Sequence, residues 1–301
     1  MIIFSVIITS FNRLEKLKRA LNSVLNQTFT DYEIIIVDDC STDGSVIFLK
    51  NFKHSKVNIY LSETNKGQAG ATNFAVEKSS GKWLAFLDAD DYWELNKLEK
   101  VDKVINESSN EFKLFYSSCF IINSEGSIQR LNKANKEGYV YKQELLNNPI
   151  GCQSRVVVEK KSYLEVGGLD ESLIATKDWD LWIRITKKYK VKSIPAPLTY
   201  YEENNESISS NLSKVLEGRE QFWEKNYPNG MSSAEKRISY NLFGKFLLNR
   251  GHKKTARRFF IKAYFSSFFI PSSIVYYLIS FLPIGVLRLT QRIKNIPAIV
   301  N

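Results

Sequence analysis

Residues 83–91 read Trp83-Leu84-Ala85-Phe86-Leu87-Asp88-Ala89-Asp90-Asp91, an apolar run that passes without a break into a cluster of carboxylates. A short continuous apolar run bounded by polar turn formers predicts a strand buried on both faces. The acids then stand at its carboxyl end. Asp88 and Asp90 lie two apart, so in an extended chain their side chains share one side. Such a pair can hold one hard divalent cation and leave positions for phosphate and water. The same acids also suit the N-cap of a following helix, facing its dipole, and the spacing alone leaves both readings open.

The pattern repeats upstream. Ile2–Thr9 predicts a strand that closes on Thr9-Ser10-Phe11-Asn12, and Glu33–Val37 predicts one that closes on Asp38-Asp39-Cys40-Ser41-Thr42-Asp43-Gly44-Ser45. Val57–Leu61 predicts a third. Between them, Leu14, Leu17, Leu21, Val24 and Leu25 recur at helical spacing, and Ser45–Phe52 and Ala71–Lys78 read as further helices. Strands alternating with helices at this interval predict an α/β domain with a mostly parallel sheet and helices on both faces. Ligands of such sheets bind in the crevice outside the carboxyl ends of the strands, where this sequence places Thr9, Phe11, Asn12, Asp38, Asp39, Asp88, Asp90 and Asp91. Phe11 can stack on a base whose N–H an Asp at 38 or 39 accepts. Equally, Phe11 is an ordinary half-buried ring and Asp38-Asp39 opens an Asx turn.

The second half is less regular. Strands are predicted at Leu114–Ile122, Ser154–Val158, Val191–Ile194 and Leu198–Tyr201, and short or amphipathic helices at Gln143–Leu146 and Asp178–Lys187. From about residue 210 the pattern is helical, with Tyr240–Leu248 and Lys253–Tyr264 meeting across Gly251. The expected organisation is one domain over 1–210, regular to about 110 and less regular over 111–210, then a helical region over 211–301.

Composition narrows the chemistry. The chain has 301 residues, 44% of them apolar and 25% charged, enough to bury a core. Two histidines and three scattered cysteines, with no C-x-x-C or H-x-x-x-H spacing, argue against zinc sites and histidine triads. Unclustered cysteines in odd number suit a reducing compartment, hence a cytoplasmic protein. Met1–Ser10 lacks a basic leader and a small-residue cleavage site, so it reads as a strand and not as a secretory signal. The net charge of +10 is uneven: residues 236–301 carry twelve Lys and Arg and no acid, which leaves the first 235 residues at −2. A basic segment of this kind seeks an anionic partner. Ala263–Leu287 is uncharged, aromatic and divided by Pro271 and Pro283. That content favours an anionic membrane surface over nucleic acid and predicts an interfacial segment at about 264–294, peripheral at the inner face of the cell membrane. Helices packed on the domain, or a span, are the other readings.

The ordered motifs resemble those of the family 2 glycosyltransferases. The resemblance is carried by Ser5-Val6-Ile7-Ile8-Thr9-Ser10-Phe11-Asn12-Arg13, by Glu33 to Ser45 and by Asp88-Ala89-Asp90-Asp91. Further on, Gly167-Gly168-Leu169-Asp170 and Lys177-Asp178-Trp179-Asp180-Leu181-Trp182 extend it. It implies the GT-A fold over 1–210, with a nucleotide part to about 110 and an acceptor part over 111–210. It also implies an inverting, metal-dependent transfer of a sugar from a nucleotide-sugar, most simply a UDP-sugar, to a saccharide or lipid-linked acceptor in polysaccharide biosynthesis. It further implies that Thr9, Phe11 and Asn12 meet the nucleoside and that Asp39, with Asp38, reads uracil. By the same resemblance Asp88 lies near ribose, Asp90 and Asp91 hold Mn²⁺ or Mg²⁺, and Asp178 is the base. Gly168, Trp179 and Asp180 fall on the acceptor side. The sequence departs from the family pattern at Thr72, where Arg is common, and at Asn204, where His is common. A catalytically inactive nucleotide-sugar-binding module and a glycoside hydrolase are the competing classes.

Overall fold

The computed structural model describes residues 2–203, 211–266 and 271–282. The chain divides into two compact units, Met1–Asn226 and Tyr227–Asn301.

The first unit opens with β1 (Phe4–Ser10), α1 (Leu14–Leu25), β2 (Tyr32–Asp38), α2 (Ser45–Asn51), β3 (Val57–Leu61), α3 (Gly67–Lys78) and β4 (Trp83–Asp88). These strands pair in parallel in the order β3-β2-β1-β4. The register aligns their carboxyl ends, with Ser10 opposite Asp38 and Thr9 opposite Asp88. Alternation along β1 divides the core. Phe4, Val6 and Ile8 pack with Leu17, Leu21 and Val24 of α1 on one face. Ile7 packs with Ala69, Ala71, Ala75 and Val76 of α3 on the other. Strands buried on both faces explain why the sequence shows unbroken apolar runs here.

β5 (Tyr92–Trp93), α4 (Lys97–Glu107), β6 (Phe112–Ile122), β7 (Ile128–Asn132) and α5 (Tyr141–Asn147) follow. Next come a single 3₁₀ turn at Gln153–Arg155, β8 (Val156–Glu159), α6 (Lys160–Glu165), α7 (Lys177–Lys188), β9 (Lys190–Glu202) and α8 (Leu212–Asn226). β8 joins β4 antiparallel, and the sheet continues as β6, β9 and β5, with β7 on β6. The mostly parallel α/β architecture is therefore present in the first half of the unit, and the second half is mixed.

Several local differences have plain causes. The acids after β4 cap no helix: Tyr92 and Trp93 pair with Tyr200 and Thr199, and the next helix starts at Lys97. The two closing strands expected at 191–194 and 198–201 are one strand, β9. Pro195 and Pro197 offer no N–H and displace its register against β6 without ending it. Residues 97–107 were given no element from sequence, although Leu98 and Val101 of α4 are buried. α8 belongs to the first unit because Phe222 is fully buried beside Trp179 and Lys225 pairs with Asp180.

The second unit holds α9 (Ser233–Asn249), α10 (Lys253–Ser266) and α11 (Pro271–Ile279). A capping box of Ser232 and Glu235 starts α9, and Gly251 turns the chain at φ +83°. Phe243 meets Phe259 edge-on at 4.7 Å, and a Cβ on Gly244 would fall 2.6 Å from the Phe260 ring, so the glycine lets the two helices approach closely there. Pro271, read as a breaker, occupies the first position of α11, where a missing N–H costs nothing. Residues 267–270 and 283–294 of the expected interfacial segment lie outside the described residues. Among the described residues no helix is long and apolar enough to cross a membrane.

Candidate active site

The loops that follow β1 and β2 are bonded together. Asn12 takes a left-handed φ of +52°; its N–H donates to Ser41 Oγ at 2.8 Å, and its Oδ1 accepts from Thr42 N at 2.7 Å. Leu14 N donates to Asp43 Oδ2 at 2.8 Å. Asn12 thus works as a loop fastener, and the ring it fixes beside it, Phe11, is 47% exposed at the crevice. Asp38 is fully buried: Oδ1 accepts from Ser41 N at 2.9 Å in an Asx turn, while Oδ2 has no hydrogen-bond partner. Asp39 accepts from Lys66 N at 2.8 Å and donates its own N–H to Ser10 O at 2.8 Å, which draws the loop before α3 to the end of β1. Thr9, half-buried, is the residue paired with Asp88.

Asp88 ends β4. Its N–H donates to Ser154 Oγ at 3.0 Å and its Oδ1 accepts from Gln68 Nε2 at 2.8 Å. Burial, then the charges of Asp90 and Asp178, push its carboxyl up to about 7. Asp91 is fully buried, accepts the Glu202 N–H on Oδ1 at 2.9 Å, and has an Oδ2 without a hydrogen-bond partner. Burial and the charges of Asp90 and Asp88 raise it well above the carboxylate range. The turn therefore gathers like charges that repel one another.

Asp178 comes from the far side of the sequence. It sits in the first turn of α7, where Thr176 precedes the helix in a left-handed conformation, and its Oδ1 accepts from Trp179 N at 2.8 Å. Burial pushes its carboxyl up to about 6. The residues around it brace α7. Trp179 Nε1 donates to Glu144 O at 2.6 Å and its ring lies 4.4 Å from Phe222. Asp180 is fully buried between Arg184 Nη2 at 2.8 Å and Lys225 Nζ at 2.9 Å. Gly168 at φ +65° lets Asn73 Oδ1 reach the Leu169 N–H; a Cβ there would stand 2.8 Å from that oxygen. The three residues expected on the acceptor side thus serve, in this structure, to hold α7 and the loop before it.

The sequence reading missed the floor beneath the acids. The Ser154 carbonyl accepts from Lys97 Nζ at 2.6 Å, Trp93 Nε1 at 2.8 Å and Thr199 Oγ1 at 3.2 Å. Lys97 is fully buried, and desolvation holds its ammonium well below the usual lysine range. Gln68 had a signal, as it lies within the segment that resembles the family's; Lys97 and Ser154 had none. Thr72 is buried on α3, and Asn204 lies outside the described residues.

Among the described residues no group of three or more His, Cys, Asp and Glu is arranged to hold a metal ion. The acids fit a narrower need. Mg²⁺ and Mn²⁺ at nucleotide sites take one or two carboxylates and complete their shell with phosphate oxygens and water. Mutually repelling carboxylates and the orphaned Oδ2 of Asp91 suit that role.

The first unit thus joins a parallel half-sheet, with an acidic turn at the carboxyl end of β4, to a mixed half that carries Asp178. The sequence matches the model of glycosyl transferase family 2 over residues 5–165, and the chain belongs to that family. It is 32% identical over 215 residues to the putative teichuronic acid biosynthesis glycosyltransferase TuaG of Bacillus subtilis, covering 70% of this chain and 83% of that one. It is 30% identical over 214 residues to WfgD of Escherichia coli, a UDP-Glc:α-D-GlcNAc-diphosphoundecaprenol β-1,3-glucosyltransferase, covering 70% and 81%. In fold it resembles residues 1–349 of Staphylococcus aureus TarS in complex with UDP-GlcNAc, with a TM-score of 0.59 at 16% identity over 93% of this chain and 89% of that one. Family membership sets aside the glycoside hydrolase.

The two aspartates of α7 are expected to behave oppositely in thermal melts. The folded pKa of Asp178, about 6, lies above the unfolded value of about 4. Its contribution to stability is therefore full below that unfolded value and is lost as pH rises through about 6. Asp178→Asn, which carries no charge to bury, should melt no lower than the wild type at neutral pH. Asp180→Ala leaves Arg184 and Lys225 without their buried partner and should lose about 1–3 kcal/mol. A lower melting point for Asp178→Asn, or an unchanged one for Asp180→Ala, would contradict these assignments.

Proposed function

We propose that this chain transfers a sugar, with inversion, from a UDP-sugar to a hydroxyl of a saccharide carried on a membrane lipid. One observation carries the reading: Asp178, ninety positions from Asp88 in sequence, is close enough to it that its charge helps push the Asp88 carboxyl up to about 7. Two acidic groups with separate supports thus face one crevice. Thr9, Phe11 and Asn12 would border the nucleoside, the Phe11 ring stacking on the base. Asp39, with Asp38, would accept the uracil N–H, and a buried acceptor left unpaired by a wrong base is costly. Asp88 would stand near ribose. Asp88 and Asp90, with Asp91 behind them, would hold Mg²⁺ or Mn²⁺, which when bound supplies Lewis-acid stabilisation of the leaving diphosphate.

Asp178 would take the proton of the attacking hydroxyl. A carboxylate at about 6 is largely ionised at neutral pH yet more basic than an exposed one, as a general base should be. Attack from its side on a sugar whose diphosphate points toward Asp90 is a direct displacement, which inverts the anomeric carbon. The UDP-sugar donor and lipid-diphosphate acceptor in the name of the WfgD relative support the substrate classes. Calorimetric titration with UDP in Mn²⁺ and in chelator tests the site. Tighter binding with Mn²⁺ is expected, and equal affinity in the two would contradict the metal role.

The second unit would bring the enzyme to its acceptor at the cytoplasmic leaflet. Phe265 on α10, Leu278 on α11 and Phe281 just beyond it are exposed, while Lys253, Lys254, Arg257, Arg258 and Lys262 supply positive charge on α10 without a single acid. Each such cation near an anionic surface is worth about 1 kcal/mol; the apolar contact adds attraction that salt does not screen. The full chain should sediment with anionic liposomes at low salt, release partly as salt rises, and sediment less when Leu278 and Phe281 are replaced by Ser. Absence of sedimentation at low salt would argue for a soluble acceptor.

A further inference from the structure

The acidic turn between β4 and β5 is gripped from two other elements. Arg19 of α1 donates through Nη2 to the main-chain carbonyl of Asp90 at 2.6 Å and to Glu202 Oε2 at 2.6 Å. Its guanidinium carbon lies 4.8 Å from the centre of the Tyr92 ring, and that ring stacks on Tyr200 of β9 at 4.5 Å. Glu202, the last residue of β9, is 3% exposed. Its Oε1 forms an ion pair with Lys16 Nζ at 2.8 Å and its N–H donates to Asp91 Oδ1 at 2.9 Å. Burial works against the charge of Glu202, but the hydrogen bonds from Lys16 and Arg19 outweigh it and hold the carboxyl below the usual glutamate range.

Three contacts of this group end on the stretch 90–92. One reaches the carbonyl of Asp90, one the carboxylate of Asp91 and one the face of Tyr92. We propose that Arg19 and Glu202 form a clamp that sets the path of the Asp88–Asp91 turn, making Arg19 a positioning residue for metal-supported donor binding. The proposal rests on the metal and donor reading given above. Carboxylates forced together tend to splay their turn apart. A cation that binds the peptide carbonyl of Asp90 opposes this. Arginine suits the place because its Nη2 bonds both the carbonyl and Glu202 while the planar guanidinium stacks on Tyr92; an ammonium lacks that planar stacking face. Glu202 in turn fixes the fork, and its N–H ties the end of β9 to Asp91, so α1, β5 and β9 share one anchor.

The test compares Arg19→Met, which keeps most of the apolar stem, with Arg19→Lys and with the wild type, using two readouts on the full chain. Amide hydrogen exchange without ligand should speed up over residues 88–93 and 199–202 in Arg19→Met and stay unchanged over β1 and β2. UDP titration should show the gain in affinity that Mn²⁺ confers reduced by roughly 10–100-fold, the range for groups that support metal-binding carboxylates. Affinity in chelator should not change, and Arg19→Lys should recover part of the loss. Unchanged exchange over 88–93 overturns the clamp. Equal loss of UDP affinity with and without Mn²⁺ overturns the link to the metal and indicates a damaged nucleotide pocket. If the wild type gains nothing from Mn²⁺, the donor reading itself fails, and the exchange measurement alone then decides whether Arg19 holds the turn.

Discussion

Repulsion among carboxylates at the end of β4 is the constraint around which the first unit is organised. Asp88 feels the charges of Asp90 and Asp178, and its hydrogen-bond partners Gln68 and Ser154 are neutral. Like charges brought together out of water raise each other's pKa at a cost in stability. The fold meets this cost with ordinary means. The parallel register fixes where β4 ends, and three donors on the Ser154 carbonyl fix the peptide against which Asp88 rests. Arg19 and Glu202 hold the turn from the other side. A site poised in this way favours a ligand that brings positive charge, which is the sense in which stability is exchanged for function.

Asp178 is braced by a different set of contacts. Asp180 pins α7 to α8 through Lys225 and to its own next turn through Arg184, and Trp179 fills the space against α5 and Phe222. Adjacent residues of one motif therefore divide the work: Asp178 keeps partial contact with solvent while its two successors are consumed by packing. These contacts hold in place a carboxylate that burial raises to about 6.

Much of this was legible in the sequence, for identifiable reasons. β1, β2 and β4 are buried on both faces, so their apolar runs are continuous, and the acids that follow them mark the ligand edge directly. β5 and β7 left no trace: the first is only two residues long, and the second, Ile128–Asn132, is exposed throughout. The support of the site was equally silent. Lys97 reaches Ser154 across 57 residues and Arg19 reaches Glu202 across 183, and one lysine or arginine on a helix reads as a solvated charge until the fold brings its partner. The resemblance separates Asp178, as the base, from Trp179 and Asp180 on the acceptor side, but the sequence does not show that Trp179 and Asp180 anchor the helix; only the packing does.

The central claim is that donor and acceptor chemistry reside on separate acids of one crevice. It is tested most directly by Asp178→Asn, in which transfer and UDP binding in Mn²⁺ are measured on the same preparation. The account predicts transfer reduced by about 10²–10⁴-fold, the contribution of a positioned general base, with UDP affinity in Mn²⁺ unchanged. Turnover near that of the wild type, or a loss of UDP affinity as large as the loss of transfer, would contradict it.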